Sequence, residues 1–375
     1  MPLPVSLGSL TKLQTLCLHG CRLDNVATIG KLKQLELLSF ADSKIVELPK
    51  EIEALTQLKQ LDLRNCSNLQ VIPENVLSKL SSLEELYMLN SFVRWNANGN
   101  ARLVELESLP NLSTLEIQIE NSKSIPQGCR FFHGLRSYKI SIGDGWGNWE
   151  GNDERSRTLK LKLDAGIHLE DGIEVLLRGI EDLSLSEAVG IESVFYDLDR
   201  EGFPQLKHLH IENDSSIQHL IKSTMRASCP AFPNLESLDL IDLMSLEKMC
   251  HGQLEMGSFG ELGIIKIHRC DKLKSLFSFS SAKCLLHLRE IEVESCKNLE
   301  AIVSEGSEDE HCNNEVIEFN QLSSLKLHYL PNLTGFCKIK EGTAPMELLF
   351  NELVSFPNLT SLAVRECKCL KYELF

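Results

Sequence analysis

The chain has 375 residues, which is enough for two or three ordinary domains or for one long repeat array. Its formal net charge of −15 argues against a nucleic-acid ligand and against an anionic membrane surface, because both need a basic protein surface. No apolar run reaches the ~18 residues of a membrane span, and residues 1–8 lack the basic start and apolar core of a signal peptide. We therefore expect a cytoplasmic protein without a membrane span.

One pattern of aliphatic residues returns along the whole chain. In residues 288–299, Leu288, Ile291 and Val293 are followed by Cys296 and Leu299. This is the L-x-x-L-x-L-x-x-C/N spacing of a leucine-rich repeat, and most steps between copies fall near the ~20–29 residues typical of it. Aligning the first position of each copy predicts fourteen repeats, with starts at Leu13, Leu35, Leu58, Leu83, Leu112, Leu135, Ser156, Ile180, Leu206, Leu235, Leu262, Leu288, Leu322 and Leu359.

The spacing within each repeat predicts the fold. Residues two apart, such as Leu16 and Leu18, point to the same face of a short strand. No unit can bury its leucines alone, so stacking against the next unit is needed. The sequence therefore predicts an α/β leucine-rich-repeat solenoid with about 14 repeats. A curved parallel sheet would form its concave face, and loops and short helices would form its convex face, in one domain over residues 1–375.

The regularity changes along the chain. Residues 1–90 are the most regular, and their return segments carry a proline, as at Pro4 and Pro49, that suits a turn before an irregular or single-turn helix. Residues 91–375 form longer, irregular repeats. Polar or glycine-rich insertions, which we predict to be loops, interrupt the spacing near 91–107, 143–157, 215–232, 304–318 and 338–356.

Both ends differ from a capped solenoid. The chain opens partway through a return segment at Leu3 and Pro4, and it stops at Phe375, shortly after the last predicted strand. These features predict a fragment of a longer protein or a truncated gene product.

The cysteines favour structural thiols over disulfides. The chain has 13 cysteines, an odd number. Five of them occupy the repeat's own C/N position, namely Cys21, Cys66, Cys270, Cys296 and Cys367. We therefore expect reduced thiols in a reducing compartment. Cys367 and Cys369 form the only close pair, and its repeat position favours a structural role over metal or redox chemistry.

A search for catalytic motifs points away from an enzyme and from any cofactor. The chain contains no phosphate-binding G-x-x-x-x-G-K-S/T loop, no G-x-S-x-G elbow and no H-E-x-x-H pair. His208 and His210 share one strand face, but a zinc site needs further convergent ligands, so surface histidines are the favoured interpretation. Asn111, Asn332 and Asn358 begin glycosylation-like triplets whose central leucine belongs to the repeat, so we interpret them as by-products of it.

Candidate binding residues are those that alternate with the inward leucines and face the concave side. If the strand register holds, Lys266, Glu292 and Lys326 form a row of alternating charge across three strands. A self-satisfied surface ladder is the favoured reading of this row, and a patch for a protein partner is the alternative. The same three repeats contribute Ile264, His268, Glu290, Glu294, Ser324 and His328. Other repeats contribute Asp62, Arg64, Tyr87, Glu116, Lys139, Lys160, Lys162, His210, Glu212, Asp239 and Arg365.

The chain resembles a family of immune receptors. The run from Leu48 and Pro49 through Leu61 and Leu63 to Cys66 is similar to the repeat region of plant intracellular disease-resistance proteins. The runs 232–238, 246–254, 270–277 and 288–303, the last followed by an acidic loop, resemble the coiled-coil subclass of nucleotide-binding leucine-rich-repeat receptors. The resemblance covers essentially the whole chain.

The resemblance implies a function. In that family the repeats hold a nucleotide-binding switch domain inactive and sense a pathogen effector or a modified host protein, and relief of inhibition lets the switch exchange ADP for ATP. This chain lacks the two upstream domains of the family. An alternative is the substrate-recognition repeats of an intracellular ubiquitin-ligase adaptor, although no F-box-like segment is visible. Extracellular receptor repeats are a weaker option, since they would show a signal peptide, capping cysteine pairs and a membrane span.

Overall fold

The computed structural model describes residues 2–120, 124–126, 128–146, 157–162, 173–199, 201–222, 229–251, 254–304, 316–338 and 349–370. These residues form two compact units. The first, unit 1, holds the described residues up to Leu176, and the second, unit 2, holds those from Leu177 onwards. Both are built from the same repeated element, a short strand followed by a return segment. The expectation of a single repeat domain stays a prediction.

Unit 1 contains seven strands, and they pair in parallel in chain order. The strands are β1 (Thr15–Cys17), β2 (Leu37–Ser39), β3 (Gln60–Asp62), β4 (Glu85–Tyr87), β5 (Thr114–Ile119), β6 (Ser137–Ile142) and β7 (Arg157–Lys162). The return segments carry 3₁₀ helices at Val5–Ser9, Ala27–Lys31, Lys50–Ala54, Leu77–Lys79, Leu103–Ser108 and Phe131–Gly134. Pro4 and Pro49 directly precede the first and third of these helices, so the predicted short helices after proline are confirmed.

Unit 2 has a main sheet and three small sheets. Its strands are β8 (Asp182–Ser186), β9 (His208–Asp214), β10 (His219–Lys222), β11 (Ser237–Leu243), β12 (Lys248–His251), β13 (Ile264–His268), β14 (Ser275–Ser278), β15 (Glu290–Glu294), β16 (Ala301–Ser304), β17 (Ile317–Glu318), β18 (Ser324–His328), β19 (Gly335–Lys338), β20 (Val354–Ser355) and β21 (Ser361–Arg365). Two short helices, α2 (Val194–Leu198) and α3 (Phe279–Ala282), lie in unit 2, and a third, α1 (Ile173–Arg178), begins in unit 1 and ends in unit 2.

The main sheet of unit 2 uses one strand per repeat. Its order is β8, β9, β11, β13, β15, β18 and β21, all parallel. With the seven strands of unit 1, the main-sheet strands match the fourteen predicted repeats. The predicted α/β leucine-rich-repeat solenoid is therefore confirmed. The return segments of unit 2 add strands that were not predicted, in the parallel groups β10–β12, β14–β16–β19 and β17–β20.

The alignment predicted at Ser156 is wrong by two residues. It would pair Leu159 with Tyr138, whereas the structure pairs Leu159 with Ile140 and Arg157 with Tyr138. Side chains on a strand alternate with a period of two, so a two-residue shift leaves the same residues facing inward. The leucine spacing in this repeat could not distinguish the two registers.

Stacked aliphatic side chains form the core. The first leucine of a repeat and the two inward residues of its strand lie fully buried in most repeats, as Leu58, Leu61 and Leu63 do. Burying such a side chain contributes roughly 1.5–3 kcal/mol. Each ladder residue contacts its counterparts in the neighbouring repeats, so the stability accumulates along the array.

A column of phenylalanines reinforces the return segments of unit 2. Phe203, Phe232 and Phe259 each lie three residues before a repeat start, and their rings stack at centroid distances of 5.4 and 5.6 Å. Further along, Phe319 stacks on Phe356 at 5.6 Å. Leu285 fills the position between these two groups and is buried. The ring stack is therefore interrupted at this one repeat.

The predicted insertion at 91–107 is packed rather than a free loop. The Trp95 ring is only 5% exposed and its indole donates to the Gln118 carbonyl at 3.0 Å. The buried Glu105 carboxylate accepts the Asn75 and Arg102 amides at 2.9 and 3.0 Å. The other predicted insertions lie partly outside the described residues, at 147–156, 223–228, 305–315 and 339–348. The prediction of a loop is wrong at His219–Lys222, Ile317–Glu318 and Val354–Ser355, which form β10, β17 and β20. Within the described part of the chain, no helix is long and apolar enough to cross a membrane.

Candidate functional site: the concave face

The concave face is defined here as the main-sheet face that carries the residues alternating with the buried ladder. The predicted register in unit 2 is confirmed, because Lys266 pairs with Glu292 and Glu292 with Lys326 on successive strands. The Lys326 ammonium donates to Glu290 at 3.0 Å and to Glu292 at 3.1 Å. Lys266 makes no ion pair with a described residue within 4.0 Å. Within this row Lys326 is therefore ion-paired with neighbouring carboxylates, whereas Lys266 is not ion-paired with a described residue.

His210 lies between two carboxylates on this face. Its Nδ1 is 3.0 Å from Asp239 Oδ2 on the next strand, and its Nε2 is 3.5 Å from Glu212 Oε2 on its own strand. The hydrogen bond to Asp239 raises the pKa of His210, and Glu212 adds to the increase against the opposing effect of burial. The other carboxylate oxygen, Asp239 Oδ1, is buried without a hydrogen-bond partner.

A second histidine–carboxylate row lies further along the strands. His268 pairs with Glu294, and Glu294 with His328, in the strand register. The His268 Nδ1 atom is 3.7 Å from Glu294 Oε2, and His328 Nε2 is buried without a partner. Arg365 follows in the same row on β21, where its side chain is exposed. The structure therefore brings most of the predicted unit 2 residues into two adjacent rows.

The register also aligns Ser184, His210 and Asp239 on three successive strands. A nucleophilic triad requires the histidine to accept the serine proton on the nitrogen that faces away from the aspartate. Here that nitrogen, Nε2, faces Glu212, and no hydrogen bond joins it to Ser184 in the described part of the face. Two flanking carboxylates favour a protonated imidazole, which cannot act as a base. The arrangement suits charge pairing and not acyl transfer.

In unit 1 five of the predicted residues, on or next to β3 to β6, form one compact cluster. Arg64 donates to both oxygens of Asp62, at 3.0 and 2.8 Å, and its guanidinium carbon is 4.7 Å from the centre of the Tyr87 ring. Asp62 is only 3% exposed, so the carboxylate of this bidentate pair is largely shielded from solvent. The Tyr87 hydroxyl donates to Glu85 at 2.8 Å. Burial, together with that hydrogen bond, raises the pKa of Tyr87, which stays protonated at neutral pH.

Glu116 and Lys139 continue the cluster on β5 and β6. Tyr87, Glu116 and Lys139 are neighbours in the strand register. Glu116 is 8% exposed, and its nearest cationic atom is Lys139 Nζ at 4.0 Å. Burial raises the pKa of Glu116, and the opposing effects of Lys139 and Arg64 are smaller. A carboxylate is thus held on this face in an unfavourable environment.

The predicted lysines of β7 meet the start of the insertion at 143–157. Lys162 pairs with Asp144 at 2.8 Å, and Lys160 Nζ is 6.0 Å from the centre of the Trp146 ring. The Trp146 indole donates to the Ile142 carbonyl at 3.0 Å. The first residues of this insertion therefore turn back over the concave face of unit 1, and the rest lie outside the described residues.

Two features of this face were missed in the sequence. Glu85 anchors Tyr87, although its alternation with the ladder places it among the concave positions and could have identified it. The second is a turn that ends most main-sheet strands, with a left-handed residue such as Asp42, Asn65 or Asn90. The Asn65 amide donates to Asp42 at 2.9 Å and the Asn90 amide donates to Asn65 at 3.0 Å, which links three repeats. Asn or Asp stands seven residues after the repeat start in five of the fourteen repeats, which is a partial sequence signal for this turn.

The remaining candidates have structural partners. His208 contacts Ser237 at 2.7 Å, and no group of three or more potential ligands in the described residues could hold a metal ion. The side chains of Asn111, Asn332 and Asn358 each donate to a carbonyl of the preceding repeat. Every cysteine in the described residues is a free thiol.

One family model accounts for the second half of the chain. A model described as the leucine-rich repeats of RPS2-like plant disease resistance proteins matches residues 173–297 and 234–375, which together span more than half of the chain. The chain belongs to this family. The resemblance inferred from the leucine and cysteine spacing is thereby confirmed.

Relatives of this RPS2-like repeat chain come from Arabidopsis thaliana. Disease resistance protein At4g27190 is 30% identical over 360 residues, which cover 88% of this chain and 34% of the relative. Probable disease resistance protein At4g27220 is 29% identical over 406 residues, which cover 90% of this chain and 41% of the relative. The chain thus spans about a third to two fifths of the length of these relatives.

Solved structures similar to this RPS2-like chain include an internalin from Listeria monocytogenes. It is 15% identical with a TM-score of 0.48, over 90% of this chain and 85% of the internalin. Another is the Arabidopsis receptor kinase HAESA in complex with the peptide hormone IDA and the co-receptor SERK1. It is 15% identical with a TM-score of 0.48, over 97% of this chain and 63% of HAESA.

Proposed function

We propose that the chain is the recognition region of a plant defence receptor. Its concave face binds a pathogen effector or a modified host protein, and the repeats restrain a nucleotide-binding switch domain. It acts in the cytoplasm, as a binding module without catalytic chemistry of its own. Membership of the disease-resistance repeat family supports a role in defence.

One observation carries the proposal. Along each row of the concave face the side chain changes from repeat to repeat, while the ladder residues beside it stay aliphatic and buried. The row that contains Lys266 runs from Ser184 through His210 and Asp239 to Glu292 and Lys326. A fixed scaffold with varied exposed chemistry is suited to recognising a protein surface.

Site-specific photo-crosslinking tests the concave face. A photo-crosslinking amino acid is placed at Lys139, Lys266 or Glu292, and for comparison at the exposed Glu236, Glu261 or Lys272, which lie outside the concave rows. In extracts of pathogen-challenged plant tissue, we expect one protein to be crosslinked from the concave positions only. Crosslinks confined to the comparison positions would overturn the proposal.

Restraint of the switch domain has its own test. The chain is mixed with the purified nucleotide-binding domain of the relative At4g27190, and release of labelled ADP is followed. We expect the chain to slow ADP release. An unchanged release rate, with binding of the two proteins shown separately, would contradict restraint.

A further inference from the structure

The carboxylates on the concave face of unit 2 differ in the basic side chains that lie within ion-pairing distance of them. Glu290 and Glu292 share Lys326, which stays charged at all physiological pH values. Glu212, Asp239 and Glu294 have only histidines within ion-pairing distance among the described residues, at 3.5, 3.0 and 3.7 Å. His210 is the basic neighbour of Glu212 and Asp239, whereas Glu294 also interacts electrostatically with Arg269 at longer range.

The surroundings of His210 define its charge balance. Asp239 faces it from β11, Ser184 faces it from β8, and Glu212 lies beside it on β9. When the imidazole is neutral, only one of its nitrogens can donate a hydrogen. One of its two carboxylates then loses its donor, in addition to the unpartnered oxygen of Asp239.

The surroundings of His268 are similar. Glu294 faces it from β15, and on the β11 side it meets Ile241 and lies close enough to Asp242 to interact with it electrostatically. Lys266 lies two residues away on its own strand. His328 flanks Glu294 on the other side, with Arg365 beyond it. Among the described residues, His268 is the only basic group within 4.0 Å of Glu294.

We propose that the concave face of unit 2 from β9 to β15 binds a protein segment carrying lysine or arginine side chains, and that a positive charge on His210 weakens this binding. The inference rests on the proposed function, because it requires the concave face to bind protein. Complementary charge supports the proposal, because the carboxylates of Glu212, Asp239 and Glu294 lie on one face, within reach of one extended segment. A partner's guanidinium or ammonium group takes the place that the protonated imidazole otherwise fills.

The test uses the full chain and a short fluorescent peptide of alternating arginine and glycine, with binding read by anisotropy. A face variant, Glu212→Gln with Asp239→Asn and Glu294→Gln, removes three charges from the proposed surface. A matched control, Glu236→Gln with Glu255→Gln and Glu261→Gln, removes three charges from exposed positions outside the concave rows. Thermal unfolding of each variant verifies that it is folded.

We expect the face variant to bind the arginine peptide roughly tenfold more weakly than the unmodified chain, and the control variant to bind nearly as well as it. Equal weakening in both variants would show attraction to net charge alone and would overturn the proposal. Equally strong binding of a glutamate–glycine peptide of the same length would also overturn it.

A pH series tests His210. Lowering the pH from mildly alkaline buffer to about 5.5 should weaken binding by the unmodified chain several-fold, because the raised pKa of His210 places the gain of its positive charge within this range. His210→Gln should retain most of its binding at the lower pH. If this variant loses binding as the unmodified chain does, the histidine part of the proposal fails.

The outcomes separate this inference from the function on which it rests. Crosslinking from concave positions, combined with no preference for the arginine peptide, would leave the proposed function standing and reject the basic partner. Failure of the concave crosslinks would reject the proposed function itself.

Discussion

The guanidinium of Arg64 lies 4.7 Å from the centre of the Tyr87 ring while it holds both carboxylate oxygens of Asp62. One side chain thus joins two neighbouring strands, β3 and β4, through a charged pair and a ring contact. The planar guanidinium is needed for both, since an ammonium group has neither the forked donors nor the flat face.

Arg64→Lys should therefore destabilise unit 1 although the charge is kept. We expect a loss of roughly 0.5–1 kcal/mol, a modest value because the Arg64 side chain is partly solvent-exposed. Chemical denaturation measures it, with the exposed Arg94→Lys as the control. A loss no greater than that of the control would show that the fork and the ring contact contribute nothing.

Glu116→Gln should stabilise the protein at neutral pH. Burial raises the pKa of Glu116, so the folded chain disfavours its charged form. The gain should be absent below about pH 4.5, where the carboxyl is protonated in both states, and should appear as the pH rises through the folded value. We expect on the order of 1 kcal/mol from denaturation curves. The exposed Glu74→Gln provides the comparison, and equal behaviour of the two variants would contradict the assignment.

His210→Gln should destabilise the protein in a pH-dependent manner. The pKa of His210 is raised in the folded state, chiefly by Asp239. Its contribution is therefore fully present below the unfolded value of about 6.5 and is lost as the pH rises through the folded value. Thermal midpoints of the two chains should differ at about pH 5.5 and converge in mildly alkaline buffer. A difference that does not change with pH would refute the ion-pair explanation.

His219→Gln should show the opposite dependence. His219 is buried, its Nδ1 atom has no partner, and its ring stacks 5.1 Å from that of His251. Burial lowers the pKa of His219, and His251 adds a smaller decrease. Folding is therefore disfavoured at a pH where His219 is charged in the unfolded chain. The variant should gain stability relative to the unmodified chain as the pH falls below about 6.5. Parallel melting curves of both chains across this range would contradict the expectation.

Asp214→Ala should cost about 2–3 kcal/mol. The buried Asp214 carboxylate accepts the amides of Ser216 and Ile217 at 2.7 Å and that of Ala188, in the preceding repeat, at 2.6 Å. Asp214→Asn keeps one acceptor oxygen and should lose less. Urea titration distinguishes them, and equal losses in both variants would show that the amide acceptors are not the cause.

Leu38→Ala should cost about 3 kcal/mol, and Leu16→Ala markedly less. The two leucines pair in register on β2 and β1, but Leu38 is fully buried whereas Leu16 is partly exposed at the outer strand. Truncation leaves a cavity only where neighbours surround the site. Denaturation curves of the two variants check this, and similar losses would mean that the outer strand is packed as tightly as the inner one.

Much of the fold could be predicted because buried leucines recur at fixed spacing. Ladder positions such as Leu61 and Ile291 identify each strand and its inward face. The β14 strand escaped prediction because Ser275–Ser278 has two adjacent buried residues, Leu276 and Phe277, and no alternation. Similarly, the two-residue error at Ser156 arose where the repeat lacks its leading leucine.

The residues that lie on the concave face could be predicted from the sequence, but the contacts between their side chains could not. Alternation alone places Arg64, Tyr87, Glu116 and Lys139 on one face. Which of them form contacts depends on side-chain conformations that spacing does not determine. Arg64, two residues beyond β3, reaches back to Asp62 at the end of that strand, while Lys326 reaches across to β15.

The alternation of buried and exposed residues has an evolutionary consequence. Glu292 lies between Ile291 and Val293, whose side chains point into the core while its own points outward. A mutation at Glu292 therefore changes the chemistry offered to a partner and leaves the packing of both neighbours intact. Changes of this kind in different repeats combine nearly independently. A lineage that faces a changing set of partners can then alter its specificity by single steps, without passing through unfolded intermediates.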